Sequence, residues 1–391
     1  MTTCPACAAT ELRFIDSQSG IPGNSCLLLD SATAAAAFPT GDMTLTVCQG
    51  CGFVFNATFD PTLSEYSARY EETQGCSPRF VEFARALASR WVEDYDLVDR
   101  TVLEIGCGSM GEFLQLMVEA GVGRAVGVDP ALEPRRIDVA EPDRFEWIPD
   151  FYPVPDITDD VSAIVCRHTL EHIASVGDFM RSLRQTIGAR TDVIVLFELP
   201  DVQRVFDEVA FWDVYYEHCS YFTAGSLARL FRASGFDPIK ITHEYDDQYV
   251  VIEARPSPDG PPSHSPSGGA ELLELIASAE EYGRRVTTVR RQWRDRVSAA
   301  VDEGQRVVIW GAGSKGVSFL TGLRENDIQF AVDINPAKHG FFMAGTGQEI
   351  VAPDFLATYQ PDLVVAMNPI YLDEIQQELE ERGLSAELIG V

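Results

Sequence analysis

Between Trp212 and Phe222 the chain reads Trp-Asp-Val-Tyr-Tyr-Glu-His-Cys-Ser-Tyr-Phe, where titratable and aromatic side chains replace the aliphatic ones that packing prefers. An imidazole titrates near neutrality, so His218 suits removal of a proton from a carbon next to a carbonyl, and the adjacent Glu217 could orient the ring or raise its basicity. Phenols from Tyr215, Tyr216 or Tyr221 could donate to the oxygen that becomes an enolate. A packed interface holding a hydrogen-bonded histidine would use the same residue types, and the loop alone leaves both readings open.

Two other groups of residues carry chemistry. Cys4-Pro5-Ala6-Cys7 and Cys48-Gln49-Gly50-Cys51 are C-x-x-C pairs, each able to present two thiolates to one ion. Four thiolates make a closed tetrahedral zinc site with no position left for water, hence structural rather than catalytic zinc. The gap of about forty residues between the pairs exceeds the zinc-ribbon range, so a small hairpin domain must fill it. Cys26, Cys76, Cys107, Cys166 and Cys219 stand outside any such spacing and read as small apolar residues.

The third group is a glycine turn. Thr101 to Pro130 runs as an apolar strand, Gly106-Cys107-Gly108, an amphipathic helix and a second apolar strand ending on Asp129 and Pro130. Glycines let backbone lie against a ligand, and a carboxylate closing the second strand accepts hydrogen bonds from a ribose diol. The third glycine, Gly111, is off by one from the dinucleotide spacing, and Glu104 would repel a pyrophosphate. Glu104 would instead hold the charged amino acid end of S-adenosylmethionine. A domain of this kind with a nicotinamide or no cofactor is the alternative.

These groups need elements to position them. After Asp129, Phe145 to Phe151 offers a short strand ending in Asp150 and Phe151, Val161 to Cys166 a buried strand, and Thr191 to Leu199 another. Arg167 and His168 follow the buried strand, at the carboxyl end where open α/β sheets bind ligands. The segment Arg255 to Gly269 is a Pro/Ser/Gly linker, and Glu271 to Asp302 reads as one long amphipathic helix. Arg306 to Trp310 then opens into Gly311-Ala312-Gly313-Ser314-Lys315-Gly316, a true G-x-G-x-x-G, with Asp333 closing the next strand and Asn368 a later one. An NAD site is a serious rival reading there. Lys315 would add a point charge for a phosphate.

The expected organisation is α/β: a zinc-binding domain (1–65), an S-adenosylmethionine-binding domain (66–255), a linker (256–269), and the long helix with a second Rossmann-like domain (270–391). With 391 residues, 46% hydrophobic and 23% charged, the chain is long enough for several cores. A net charge of −30 argues against a nucleic acid or an anionic bilayer as partner. No apolar run approaches the roughly twenty residues of a membrane span, and no secretory signal opens the chain, so a cytoplasmic location is expected.

The E-x-G-x-G turn with its V-D-P strand end resembles class I methyltransferases, in which Asp150 and Phe151 would face the adenine. The cysteine pairs, this core, the Tyr215-Tyr216-Glu217-His218 loop and the Gly311 turn occur together in bacterial C-methyltransferases of nucleotide-linked deoxysugars, and the resemblance covers essentially the whole chain. It implies His218 as general base, with His172 and Tyr70 also at the substrate. The C-terminal domain would help bind the nucleotide-sugar through Gly313, Ser314, Lys315 and Asn368, and would carry no nicotinamide. The chain departs from the family pattern at Tyr70-Glu71-Glu72, where a second tyrosine is usual, and at G-C-G-S-M-G in place of G-x-N-D-G.

Overall fold

In the computed structural model, which describes residues 3–64, 71, 73–154, 160–261, 269–324 and 328–391, the apolar runs of the sequence become the inner strands of three sheets. Strands β1 (Leu12–Pro22), β2 (Thr40–Cys48) and β3 (Val54–Asn56) form an antiparallel meander. The two C-x-x-C pairs lie at one end of it, and the expected hairpin fills the gap between them.

The central sheet is built from β4 (Thr101–Ile105), β5 (Arg124–Val128), β6 (Phe145–Ile148), β7 (Val161–Arg167) and β8 (Ile194–Pro200), all parallel. Every residue of β4 is buried, which is why it reads as an uninterrupted apolar run with a single acid, Glu104. Before it, the helix Pro78–Asp94 starts on an N-cap, Ser77, whose hydroxyl accepts from the Phe80 amide, and it buries Leu87, Trp91 and Val92. The helix Glu112–Glu119 follows the glycine turn.

Strand β9 (Ser220–Tyr221) leaves the central sheet and pairs with β3, so a piece of the 66–255 segment completes the N-terminal sheet. The hairpin β10 (Phe236–Glu244) and β11 (Tyr249–Pro256) then inserts β11 antiparallel against β8. The resulting order is β10-β11-β8-β7-β4-β5-β6. Successive strands run outward from β4 in opposite directions along the sheet, which opens a crevice at the carboxyl ends of β4 and β7.

The helix Gly269–Asp302 is one 34-residue rod, as the periodicity predicts. It lies against the N-terminal sheet, burying Leu275, Tyr282 and Val286, and Arg290 pairs with Asp16 at 2.6 Å. At Gly283 a Cβ would fall 2.3 Å from the Ile15 carbonyl oxygen, so only glycine permits this approach. Beyond it, β12 (Val307–Trp310), β13 (Phe330–Val332), β14 (Glu349–Val351), β15 (Leu363–Ala366) and β16 (Glu387–Gly390) make a parallel sheet in the order β14-β13-β12-β15-β16. Its strand order reverses direction at β12, beside the Gly311 turn.

Candidate active site

Both glycine turns open into one cavity of about 1340 Å³. Glu104, Gly106, Gly108, Asp129 and Pro130 line it from the central sheet, and Gly313, Ser314, Lys315 and Asn368 from the C-terminal sheet. Asp150, Phe151, Arg167, His168, His172, Tyr215 and His218 also face it. Tyr70 lies outside the described residues.

The first turn is fixed by sterics and by a carboxylate. Gly106 has φ of 72°, and a Cβ there would sit 2.0 Å from Thr169 Oγ1. Asp129 accepts from the Gly108 amide at 3.0 Å and the Ala131 amide at 2.7 Å, which holds the turn against the end of β5. Asp333 repeats this arrangement in the C-terminal domain, accepting from the Ala312 amide at 2.9 Å and the Asn335 amide at 2.9 Å.

Glu104 is 2% exposed and its Oε2 has no hydrogen-bond partner in the protein. Burial pushes its carboxyl up to about 8, so the site favours a ligand that brings a cationic donor. A glycine cradle, an acid at the end of the second strand and an orphaned buried carboxyl fit the ribose and ammonium of S-adenosylmethionine.

Beside this lies a charged trio. Arg167 donates to Glu198 through Nε at 2.7 Å and through Nη2 at 3.3 Å, and its guanidinium lies 4.0 Å over the Phe113 ring. His168, at φ 45°, places Nε2 3.0 Å from Glu198 and Nδ1 3.7 Å from Glu171. Burial alone would lower His168, but Glu198 and Glu171 outweigh it and hold the imidazolium up to about 9. Burial would likewise raise Glu198; Arg167 and His168 reverse that and hold it at about 2.

His218 is 7% exposed, with its ring 4.2 Å from that of Tyr215 and 4.7 Å from that of His172. Burial first, then the neighbouring His172, His168 and Lys315, hold His218 well below the ordinary imidazole range. It is therefore neutral near pH 7, the form that accepts a proton. His172 is set by the Glu217 carbonyl, 3.0 Å from Nδ1.

Three expectations need correction. Glu217 makes no hydrogen bond to His218 among the described residues: its Oε1 accepts from the Ser25 amide at 3.1 Å, the Ser25 hydroxyl and the Ser314 hydroxyl at 3.3 Å, and its Oε2 is buried without a partner. It ties the loop to the N- and C-terminal domains. Tyr216 and Tyr221 do not line the cavity: Tyr216 is buried under the N-terminal sheet, its hydroxyl accepting from the Asp60 amide, and the Tyr221 hydroxyl donates to the Tyr215 carbonyl. Lys315, finally, is no free cation: its Nζ lies 2.9 Å from Asp213 and 3.1 Å from Gln248 Oε1.

Gln248 and Glu171 escaped sequence reasoning. Gln248 sits in the β10–β11 turn and exchanges hydrogen bonds with Asn368 at 3.2 and 3.0 Å, joining two domains that the sequence separates by over a hundred residues. No local pattern announces it. Glu171 had a visible signal, a carboxylate between two histidines just past a buried strand.

At the far end, Cys4 and Cys51 sulfurs lie 3.7 Å apart, Cys7 and Cys48 sulfurs 3.6 Å apart, and all four within 4.8 Å of one another. Tetrahedral zinc thiolates at ~2.3 Å from the metal would be about 3.8 Å apart, so the donor set and its spacing fit the ion.

Comparison with known proteins gives the class of enzyme. A family described as a methyltransferase domain matches residues 79–241, and one described as a C-methyltransferase C-terminal domain matches residues 270–386. The chain is an S-adenosylmethionine-dependent methyltransferase. Among curated proteins it is similar to the C-methyltransferase NovU of Streptomyces niveus, 26% identical over 377 residues, 90% of this chain and 87% of that one. Among solved structures, the N,N-8-amino-8-demethyl-D-riboflavin dimethyltransferase RosA of Streptomyces davawensis is 24% identical with a TM-score of 0.36, the match spanning 46% of this chain and little more than half, 56%, of that one. The 1,6-didemethyltoxoflavin-N1-methyltransferase of Burkholderia thailandensis is 18% identical with a TM-score of 0.36, over 46% and 81%. Among the described residues no helix is long and apolar enough to cross a membrane.

Proposed function

We propose that this chain is a C-methyltransferase of a nucleotide-linked keto-deoxysugar. The observation that carries the reading is the single cavity shared by the two glycine turns and the His218 cluster. Such a space can hold a methyl donor at one end and an extended substrate reaching the C-terminal domain at the other. The similarity to NovU over nine-tenths of the chain supports carbon as the acceptor.

In this reading Glu104 takes the ammonium of the donor and Asp129 its ribose, with Gly106 and Gly108 giving close backbone approach. Asp150 and Phe151 flank the adenine, and Arg167 and His168 fix the floor of the donor site through Glu198. S-adenosylmethionine supplies an electrophilic methyl group. His218, neutral and desolvated, removes the proton next to the ketone, and the C–H electron pair moves into the enolate. Tyr215 donates to the enolate oxygen, and His172 and Tyr70 position the sugar. Burial keeps the Tyr215 phenol well above its ordinary pKa, so it stays protonated as a donor. Gly313, Ser314 and Asn368 receive the nucleotide, with Lys315 reaching phosphate only by exchanging Asp213 for it. Zinc on Cys4, Cys7, Cys48 and Cys51 is structural, and the protein works in the cytoplasm.

Incubation with S-adenosylmethionine and a panel of nucleotide-linked keto-deoxysugars tests this. A product one methyl group heavier, with that methyl on carbon by NMR, is expected. Methylation on oxygen or nitrogen only would overturn it.

A further inference from the structure

A buried base that becomes an imidazolium needs a counter-charge, and the sequence neighbour Glu217 does not supply it. Glu171 stands in that place. It is 2% exposed, lines the cavity, and neither carboxylate oxygen has a hydrogen-bond partner. Its carboxylate and the ring nitrogens of His172 and His218 have atoms that all lie within 4.8 Å of one another. The His168 imidazolium lies 3.7 Å from Glu171 Oε1, an ion pair longer than a hydrogen bond, so both oxygens remain able to accept from a donor that forms during the reaction.

We propose that Glu171 is the carboxylate that stabilises the His218 imidazolium formed when the substrate carbon is deprotonated. This rests on His218 being the base. The proton moves from carbon to a His218 ring nitrogen, the bonding pair stays with the substrate as enolate, and the new cation faces Glu171. The proton leaves to solvent when the product departs. Glu171 is thus a positioning residue that acts through His218. The other groups around that ring are His172 on the same short turn as Glu171, His168 just past β7, Lys315 in the first turn of the helix Ser314–Leu323, Tyr215 on the His218 loop and Tyr221 in β9.

The test is Glu171→Gln and Glu171→Asp in the full chain, beside His218→Gln. Glu171→Gln is expected to bind S-adenosylmethionine as wild type does and keep its KM, while kcat falls about 100-fold. The acid limb of its kcat/KM profile moves to lower pH, because loss of the anion makes His218 a weaker base. Glu171→Asp is expected to recover part of the rate and move the limb back toward wild type. Wild-type kcat with an unmoved limb in Glu171→Gln would overturn the proposal, as would a loss that Glu171→Asp shares without any shift. A wild-type rate that depends on added Mg²⁺ or Mn²⁺, lost in Glu171→Gln, would make the trio a metal site and also overturn it. Activity in His218→Gln would instead strike the base assignment itself, which separates the two failures.

Discussion

Glu104 and His168 sit on the same cavity and are held in opposite ways. Glu104 is buried with an unpartnered oxygen, so its value lies in the ligand it meets. Glu104→Gln should weaken S-adenosylmethionine by about 1.5–3 kcal/mol, a charged hydrogen bond's worth, while the melting temperature of the unliganded protein stays level or rises; titration calorimetry and thermal melts read both. His168 is clamped between Glu198 and Glu171, with its pKa raised to about 9 from 6.5. A raised histidine pKa contributes stability in full below about 6.5 and loses it as pH climbs through 9, on the order of 3 kcal/mol. Denaturant melts from pH 6 to 10 should therefore show an alkaline loss in wild type that is much reduced in His168→Gln; parallel curves would contradict the clamp. At this scale spacing around the glycine turn singled out Glu104 and Asp129, and the aromatic and titratable density of its loop singled out His218; all three line the cavity. The bonds of Glu217 to Ser25 and Ser314 were not legible, because adjacency along an irregular loop says nothing about which way a side chain turns.

Among the elements, the long helix and β9 do the positioning. Gly283→Ala would ordinarily stabilise a helix interior by about 1 kcal/mol. Here the new Cβ meets the Ile15 carbonyl at 2.3 Å, so the sign reverses, and a loss of about 1–3 kcal/mol is expected in thermal melts. Strand β9 begins two residues after His218 and pairs with β3, whose sheet carries the cysteine cluster at its end. Purified protein should contain about one zinc per chain by emission spectrometry. Cys48→Ser should lose that ion and most methyl transfer while keeping S-adenosylmethionine binding, because the central sheet does not depend on the cluster; full activity without zinc would contradict this coupling. Strand and helix order was legible because buried parallel strands read as apolar runs and the helix keeps one period over its length. The pairing of β9 with β3 was not, since two residues carry no periodicity and the contact spans the chain.

Across the whole molecule, the central and C-terminal sheets converge on one cavity. Ser25 and Ser314 bond Glu217, and Lys315, Gln248 and Asn368 bridge the central and C-terminal parts. Under the proposed function, an anionic chain would receive a phosphorylated substrate through backbone amides at the Gly311 turn in place of a basic surface. The most direct measurement of the central claim is solvent hydrogen exchange at the carbon beside the substrate ketone, followed in D₂O by NMR or mass. Wild type with a nucleotide-linked keto-deoxysugar and S-adenosylhomocysteine should exchange that hydrogen, and His218→Ala should not, although it still binds the donor. Exchange at the uncatalysed rate in wild type that nevertheless methylates carbon, or undiminished exchange in His218→Ala, would contradict the account.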